Sequence, residues 1–254
     1  MDRIKTYIIN LPKDYERRES VLKETGQYPC LEIEMVQAVY GKELTDEEKD
    51  RLFDAGNYTR RYRRSVLPGE IGCTLSHRAC YKRLLESDRG FALVLEDDAC
   101  FVKGAFTEDF SKSVMNFMNG DIPLVLLLHA DFESMGKGSS FSGDYFLYPV
   151  YSALFTTAYL INKKATRLLL QNESPYWVAD DWLLFRRWGI RIYSLYPSAV
   201  IQQWDIFDSS ILDEKRSSGR KRILPRSLIE CRMAYEKLGY YFLRTIGIIR
   251  HLHG

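Results

Sequence analysis

The stretch Phe91-Ala-Leu-Val-Leu-Glu-Asp-Asp98 joins five apolar residues directly to three consecutive acids. A short apolar run of this kind, preceded by Gly90, is typical of a parallel-type strand that is buried on both faces. Because side chains alternate along a strand, we expect Glu96 and Asp98 on one face and Asp97 on the other. Ligands of open α/β sheets bind at the carboxyl ends of such strands, so the stretch predicts where a site lies.

The three acids have no Lys or Arg beside them in the sequence. Converging carboxylates repel one another, so they are expected either to bind a hard cation or to sit in water. Oxygen ligands favour Mg²⁺ or Mn²⁺ over zinc. The alternative interpretation is a solvated acidic strand end, which binds no metal.

Length and charge exclude several classes of protein. The 254 residues suffice for one large α/β domain or two small ones, and a formal net charge of +2 is not that of a polycation. Two basic clusters, at residues 60–64 and 215–222, nevertheless suit phosphates, an anionic membrane surface or nucleic acid. The alternative interpretation of each cluster is a solvated face, which suits the first cluster better than the second.

Cysteine usage and the amino terminus predict a cytoplasmic protein. The five cysteines form no CxxC pair, which argues against a disulfide scaffold or a zinc site. The first ten residues lack the long apolar core of a signal peptide. The sequence contains no run of 18 or more apolar residues, so no membrane span is predicted.

Hydrophobic patterns and breaker residues predict an alternation of strands and helices along the chain. Strands are predicted at residues 4–10, 31–40, 91–96, 124–128, 153–161 and 191–196. Helices are predicted at residues 13–25, 45–55, 68–87, 101–118, 163–171 and from about 181 to 189, where Thr45 and Asn162 are expected caps. Residues 57–66 and 134–143 are predicted loops, the second of which is a plain surface loop or a lid.

The helix that begins at Pro68 carries the sequence Gly69-Glu-Ile-Gly-Cys-Thr-Leu-Ser-His77. Gly72 permits the close approach of a backbone or a ligand. Ser76 and His77 are polar members of a mostly apolar helix. Taken alone, a histidine in such a place is either a hydrogen-bonded core residue or a catalytic one.

Asp180 and Asp181 lie at a predicted junction between a loop and a helix. An acid at a helix N-terminus is favoured as a cap, so one of the two needs no further role. The flanking Trp177 and Trp182 favour a sugar site, because aromatic rings stack on the apolar face of a pyranose while acids bind its hydroxyls.

The carboxyl-terminal part is predicted to contain the basic segment 215–222 and an amphipathic helix from Pro225 to about Leu252. This helix mixes apolar residues with Arg232, Lys237, Arg244 and Arg250, a composition that suits an anionic membrane surface. The alternative is that this helix packs on the catalytic domain.

Four motifs in this order resemble those of glycosyltransferase family 25, the bacterial lipooligosaccharide transferases, with collagen galactosyltransferases as distant relatives. They are Ile9-Asn-Leu11 with Arg17-Arg18, the Gly69–His77 stretch, Leu95-Glu-Asp-Asp98, and Ala179-Asp-Asp181. The resemblance covers residues 4 to about 210. It implies a GT-A fold, a Rossmann-like α/β domain with a mixed central sheet flanked by helices, over residues 1–210. Residues 211–254 would form the basic segment and terminal helix.

The resemblance also implies an inverting, metal-dependent transfer of a hexose, galactose first and glucose next, from a UDP-sugar. The acceptor would be a saccharide or glycolipid of lipooligosaccharide or another cell-surface glycan, reached from the cytoplasmic face of the inner membrane. Asp98 and Glu96 would bind Mn²⁺ or Mg²⁺, the first position being Glu where the metal motif usually has Asp. Asp180 or Asp181 would act as the base. The residues implied in donor binding are Asn10, Leu11, Arg17, Arg18, Gly72, Ser76, His77, Glu96 and Asp97.

Two other classes of function remain open at the level of sequence. The acids would equally serve a Mg²⁺-dependent nucleotidyl- or phosphotransferase, although no Gly-rich phosphate loop of the GxxxxGK[ST] type is present. A non-catalytic module that binds anionic surfaces would use the basic clusters. Nucleic acid is not an expected partner, because the net charge is low and no binding motif occurs.

Overall fold

The computed structural model describes residues 3–203, 240–241 and 243–253. Its strands are β1 (Ile4–Asn10), β2 (Leu31–Gln37), β3 (Phe91–Glu96), β4 (Ala99–Phe101), β5 (Leu124–Leu127), β6 (Asp131–Met135), β7 (Ser139–Ser142), β8 (Tyr145–Leu154), β9 (Ala158–Asn162), β10 (Arg191–Tyr196), β11 (Val200–Gln202) and β12 (Ile249–His253). Its helices are α1 (Tyr15–Thr25), α2 (Asp46–Leu52), α3 (Ala55–Tyr62), α4 (Pro68–Glu86), α5 (Glu108–Met118), α6 (Lys163–Leu169) and α7 (Trp182–Arg187).

Ten strands form one mixed sheet in the order β12-β6-β8-β10-β5-β9-β3-β1-β2, with β7 paired to β8, while β4 and β11 form a separate pair. Strand β1 runs parallel to β2 and β3, and β10 runs parallel to β5. Strand β9 lies antiparallel between β3 and β5. Helices flank this sheet, so the predicted α/β class with a mixed central sheet is confirmed.

Strand β3 lies deep in the sheet, as its apolar run predicts. Residues 92–95 are at most 1% exposed, and they alternate between two cores. Ala92 and Val94 pack in one core, with Tyr81 and Leu84 of α4. On the opposite face Leu93 and Leu95 pack in the other core with α5. The acids that follow are therefore fixed by a strand that cannot shift without disrupting both cores.

Because β1 and β3 are parallel, the carboxyl ends of both strands lie at the same edge of the sheet. Asn10 ends β1, Glu96 ends β3, and Ile9 stands in register with Glu96. Because β9 is antiparallel, its beginning lies at this edge too, and the Glu96 amide donates to the Thr157 carbonyl at 2.9 Å. One sheet edge thus gathers polar residues from three segments that are distant in sequence.

The carboxyl-terminal half of the sheet departs from the predictions. Most of residues 134–143 are not loop, because β6 and β7 each pair antiparallel with β8. The predicted strand 153–161 is interrupted at Phe155, whose backbone φ is +77°. Strand β11, which pairs with β4, was not predicted. Polar strands of this kind are specified by their partners more than by their own composition.

The helices agree more closely with the sequence, with three exceptions. The capping box of Thr45 and Glu48 is present, and Asn162 caps α6. The predicted loop 57–66 is wrong, since α3 covers its first half. The predicted helix 101–118 begins only at Glu108, after Thr107 accepts from the Phe110 amide.

The third exception is the carboxyl-terminal helix. The basic segment 215–222 and the first part of the predicted helix lie outside the described residues. Residues 240–241 and 243–245 are helical, but residues 249–253 form β12, which pairs antiparallel with β6. The prediction of a helix up to Leu252 is therefore wrong at its end, where the chain instead adds a strand to the edge of the sheet. None of the helices in the described ranges is long and apolar enough to cross a membrane.

Helix α4 approaches the segment after β2 so closely that only glycine fits. A Cβ on Gly72 would lie 2.4 Å from the Val39 carbonyl oxygen, and one on Gly41 would lie 1.8 Å from that of Pro68. Ser76 holds the same segment, because its hydroxyl accepts from the Val39 amide at 2.8 Å and donates to the Gly72 carbonyl at 2.7 Å. This contact fixes one wall of the cavity described below.

The contact predicts that Gly72→Ala destabilises the protein. The added methyl group meets backbone, which cannot move aside, so the expected cost is about 1–3 kcal/mol. Urea unfolding monitored by circular dichroism measures it. The matched control is Gly120→Ala, whose Cβ would meet its nearest atom at 3.5 Å. Equal stability of the two variants would contradict the close approach.

Candidate active site

A cavity of about 450 Å³ opens at the sheet edge where β1 and β3 end. Helix α4, the segment after β2, the loop before β9 and the residues before α7 complete its wall. Nine of the predicted site residues line it, namely Asn10, Leu11, Arg17, Ser76, His77, Glu96, Asp97, Asp98 and Asp180. Arg18, Gly72 and Asp181 do not line it. Sequence motifs that are up to 170 residues apart thus meet in one cleft.

Arg17 is the cation that meets the acids of β3. Its Nε lies 2.9 Å from Asp97 Oδ1, and one terminal nitrogen donates to Asp98 Oδ2 at 2.8 Å. Asn10 Nδ2 donates to Asp97 Oδ2 at 2.8 Å. The partner expected from the sequence for these acids was a hard cation or water, and a side-chain cation was not expected. That expectation considered only sequence neighbours, whereas Arg17 arrives from α1, 80 residues earlier.

Asp98 has one satisfied and one unsatisfied oxygen. Oδ2 accepts from Gln202 Nε2 at 2.9 Å as well as from Arg17, and the Gln203 amide donates to the Asp98 carbonyl at 3.0 Å. Oδ1 is buried and has no hydrogen-bond partner among the described residues. Burial, followed by the charge of Glu96, raises the pKa of Asp98 to about 6. An acceptor oxygen in that state can bind a cation.

Glu96 is held at the back of the cavity by a chain of hydrogen bonds. His77 Nε2 lies 3.2 Å from Glu96 Oε1, and the Thr156 hydroxyl donates to the same oxygen. His77 Nδ1 lies 2.8 Å from the Tyr159 hydroxyl, which lies 2.8 Å from that of Tyr81. Burial opposes ionisation of Glu96, but the hydrogen bond and charge of His77 outweigh it and lower its pKa.

Cys73 completes a group of three mixed donors with His77 and Glu96. One donor atom from each side chain lies within 4.8 Å of the others. Burial, followed by the charge of Glu96, raises the pKa of the Cys73 thiol. The sequence interpretation did not include Cys73 among the site residues, because a cysteine in an apolar helical row is ordinarily a core residue.

The two aspartates before α7 differ in their surroundings. Asp181 caps α7 through the Leu184 amide at 3.1 Å, accepts from Arg61 Nε at 2.6 Å and accepts from the Tyr62 hydroxyl. Asp180 lines the cavity, and its one described hydrogen bond, from the Phe155 amide, is 3.4 Å long. Burial raises the pKa of Asp180, and Glu96 and Asp181 raise it further. Of these two aspartates, Asp180 is the one that lines the cavity, and its carboxylate is not held by an arginine, so it can accept a proton from a ligand.

Several of the predicted site residues make structural contacts or lie outside the cavity. Gly72 and Ser76 bind the segment after β2, as described above, and Arg18 is exposed away from the cavity. Trp177 and Trp182 are each 1% exposed and pack in the core, so the expectation that they stack on a sugar is wrong. Their fixed rings support the turn that carries Asp180, and Trp182 Nε1 donates to the Phe155 carbonyl at 2.9 Å.

The sequence interpretation missed two further buried acids, each of which is paired with an arginine of the 60–64 cluster. Arg64 binds Glu70 through both terminal nitrogens, at 2.7 and 2.6 Å, and the Tyr58 hydroxyl donates to Glu70 at 2.9 Å. With Arg61 bound to Asp181, two arginines of the 60–64 cluster are counter-ions of buried acids. For Arg61, the helical spacing with Tyr58 and Tyr62 on one face of α3 was the available signal.

Comparison with known proteins identifies relatives of this chain. The family model of Glycosyltransferase family 25 (LPS biosynthesis protein) matches residues 3–184. A Haemophilus influenzae protein, named provisionally as a glycosyltransferase, is 25% identical over 227 residues, which are 85% of this chain and 77% of that protein. Human procollagen galactosyltransferase 2 is 30% identical over 116 residues, which are 44% of this chain.

Coverage differs among the relatives. The matched segment spans 16% of the length of two mosquito relatives and 18% of that of the human protein. The solved structure of a glycosyltransferase involved in the glycosylation of the major capsid of PBCV-1 aligns with 84% of this chain and 98% of its own. That alignment has a TM-score of 0.40 and 13% identity.

The two neighbouring aspartates should respond differently to mutation. Asp181→Ala removes a helix cap and leaves Arg61 without its buried partner, so we expect a loss of about 3 kcal/mol. Asp180→Ala removes a carboxylate that burial disfavours, so its loss should be below about 1 kcal/mol. Chemical unfolding of both variants at neutral pH measures the difference, and a reversed order would contradict the assigned roles.

The raised pKa of Asp98 predicts a pH-dependent stability. The carboxyl is protonated more readily in the folded state, so its contribution is complete below pH 4 and is lost as the pH rises through about 6. A shift from 3.8 to about 6 corresponds to roughly 3 kcal/mol. The free energy of unfolding of the wild type minus that of Asp98→Asn should fall by about 2–3 kcal/mol between pH 4 and 7. A constant difference would refute the shift.

Proposed function

The chain belongs to glycosyltransferase family 25, and on that premise we propose that it transfers a hexose from a UDP-sugar to a saccharide acceptor. The observation that carries the proposal is that two groups of acids, distant in sequence, line one cavity. Glu96, Asp97 and Asp98 end or follow β3, and Asp180 precedes α7. A sugar nucleotide needs such an arrangement, because its diphosphate leaves from one side while the acceptor attacks from the other.

Asp98 and Glu96 fit a divalent cation, Mn²⁺ or Mg²⁺. The support is the buried Asp98 Oδ1, which has no hydrogen-bond partner in the described part of the chain, and the oxygen-only chemistry of the two side chains. When bound, the ion offsets the negative charge that develops on the leaving diphosphate. The Arg17 guanidinium, already beside Asp97 and Asp98, supplies further positive charge at this wall.

The donor nucleotide is assigned to the part of the cavity between β1 and α4. Asn10 and Leu11 lie at its edge, where the Asn10 side chain is ordered by Asp97. Ser76 shapes this wall through its bonds to the backbone, and His77 orients Glu96. The planar guanidinium of Arg17 suits a diphosphate, since it can donate two hydrogen bonds at once.

Asp180 is the proposed base that accepts the proton of the acceptor hydroxyl. Its raised pKa brings it closer to neutrality, where a general base is most efficient. In the proposed reaction the acceptor hydroxyl attacks the face opposite the leaving UDP, which inverts the configuration at the anomeric carbon. Asp181 holds the turn that carries this base.

The proposed donor sugar is galactose, with glucose as the second choice. The name of the human relative, a procollagen galactosyltransferase, supports galactose, and the family description, which refers to LPS biosynthesis, supports a lipooligosaccharide acceptor. We propose accordingly that the reaction takes place at the cytoplasmic face of the inner membrane, where peripheral contact with anionic lipid would bring enzyme and acceptor together.

The proposal predicts cation-dependent release of UDP from UDP-galactose when a lipooligosaccharide acceptor is present. Asp98→Asn should lower kcat/KM by at least about 10²-fold, because it weakens stabilisation of the departing charge. Asp144→Asn, in the exposed turn after β7, is the matched control. Release of pyrophosphate from a nucleoside triphosphate without sugar transfer would instead support a nucleotidyltransferase.

The role of Asp180 predicts a kinetic signature of its own. Asp180→Asn should lower kcat by about 10²–10⁴-fold and leave UDP affinity nearly unchanged, because the base acts on the acceptor and not on the nucleotide. Turnover assays and isothermal titration with UDP and Mn²⁺ separate these effects. A loss of UDP binding with intact turnover would contradict the assignment.

A further inference from the structure

Cys73, His77 and Glu96 form a group of donors that the proposed transfer reaction does not use as a unit. Cys73 and His77 are four residues apart on α4, so they project from the same face of the helix. Glu96 reaches them from the end of β3. One donor atom of each lies within 4.8 Å of the others, and all three residues line the cavity.

The surroundings of these side chains are those of a metal ligand set. His77 offers Nε2 to the group while Nδ1 lies 2.8 Å from the Tyr159 hydroxyl, which fixes the ring in place. Tyr159 is fixed in turn by Tyr81 at 2.8 Å, and the Thr156 hydroxyl donates to Glu96. Partners of this kind orient metal-binding histidines and carboxylates and contribute to their affinity.

We propose that Cys73, His77 and Glu96 bind a thiophilic divalent cation, Zn²⁺, with a fourth position open to the cavity. A sulfur, a nitrogen and an oxygen donor suit Zn²⁺, whereas Mg²⁺ requires oxygen ligands. Donor atoms bound to one tetrahedral ion lie about 3–4 Å apart, so the observed spread closes with small side-chain rotations. Three protein ligands with one open position match a zinc site that admits water or substrate.

This site would regulate the reaction, an extension that rests on the proposed function. Glu96 belongs both to the Zn²⁺ ligands and to the wall assigned to Mn²⁺ or Mg²⁺. Occupancy by Zn²⁺ therefore withdraws one carboxylate from the hard cation and takes up part of the cavity. The expected result is inhibition of transfer by Zn²⁺ that added Mn²⁺ relieves only in part.

Titration with Co²⁺, a spectroscopic substitute for Zn²⁺, tests the site on the full chain without donor or acceptor. We expect one equivalent to bind with the near-ultraviolet charge-transfer absorption of a thiolate–cobalt bond. Cys73→Ser should lose that absorption, and Cys30→Ser, which alters another partly buried free cysteine, should retain it. No thiolate absorption in the wild type, or an absorption that persists in Cys73→Ser, would overturn the proposal.

A measurement on the unaltered protein guards against misfolding of the variant. Alkylation by iodoacetamide, followed by mass spectrometry, reports each cysteine separately. Zn²⁺ should slow alkylation of Cys73 at least tenfold and leave that of Cys30 unchanged, and equal rates with and without Zn²⁺ would overturn the proposal.

Thiolate absorption in a protein that transfers no sugar would refute only the proposed function. Sugar transfer without thiolate absorption would refute only the Zn²⁺ site.

Discussion

Three consecutive carboxylates at the end of a buried strand are the constraint on which this structure depends. Strand β3 cannot move, because its side chains fill two cores, so the charges that follow it must be compensated where they stand. Asp97 and Asp98 share the guanidinium of Arg17, and Glu96 is paired with His77. Each compensating group comes from a different element, and together these elements form the walls of the cavity.

The carboxylates are not fully compensated, and the acceptor oxygen that is left without a hydrogen bond accounts for the proposed chemistry. The buried Oδ1 of Asp98 finds no hydrogen-bond partner among the described residues, and Asp98 titrates near pH 6. A fold optimised for stability alone would satisfy or remove such an oxygen. Residual acceptor capacity of this kind is typical of sites that bind a cation or a ligand. By contrast, Glu70 and Asp181 are fully paired with arginines and stabilise the walls.

Helix α4 connects the structural and functional parts of the molecule. Gly72 and Ser76 bind the backbone after β2, whereas Cys73 and His77 face the cavity from the intervening positions. The two roles alternate within a single turn and a half of helix. This explains why the Gly69–His77 stretch stood out in the sequence although no single residue in it identified a function.

The sequence sufficed for the elements that are specified locally. Strand β3, helix α4, the Thr45 capping box and the acidic strand end all follow from hydrophobic period and capping residues. It failed where tertiary partners decide, as in strands β6 and β7, which both pair with β8, in strand β12 and in helix α3. The same limit explains the missed Arg17 contact. Sequence neighbours gave the acids no counter-ion, and only the parallel pairing of β1 with β3 brings α1 beside them.

The functional assignment depends on Asp98 and Glu96 as the ligands of the catalytic cation. Manganese has an anomalous X-ray signal, so a crystal of the protein grown with UDP and MnCl₂ locates the ion without reference to any assumed geometry. We expect one anomalous peak within about 2.2 Å of an Asp98 oxygen, a distance typical of oxygen ligands, with the diphosphate between that peak and α4. A peak at Asp180, or a bound UDP whose diphosphate lies away from Glu96 and Asp98, would contradict it.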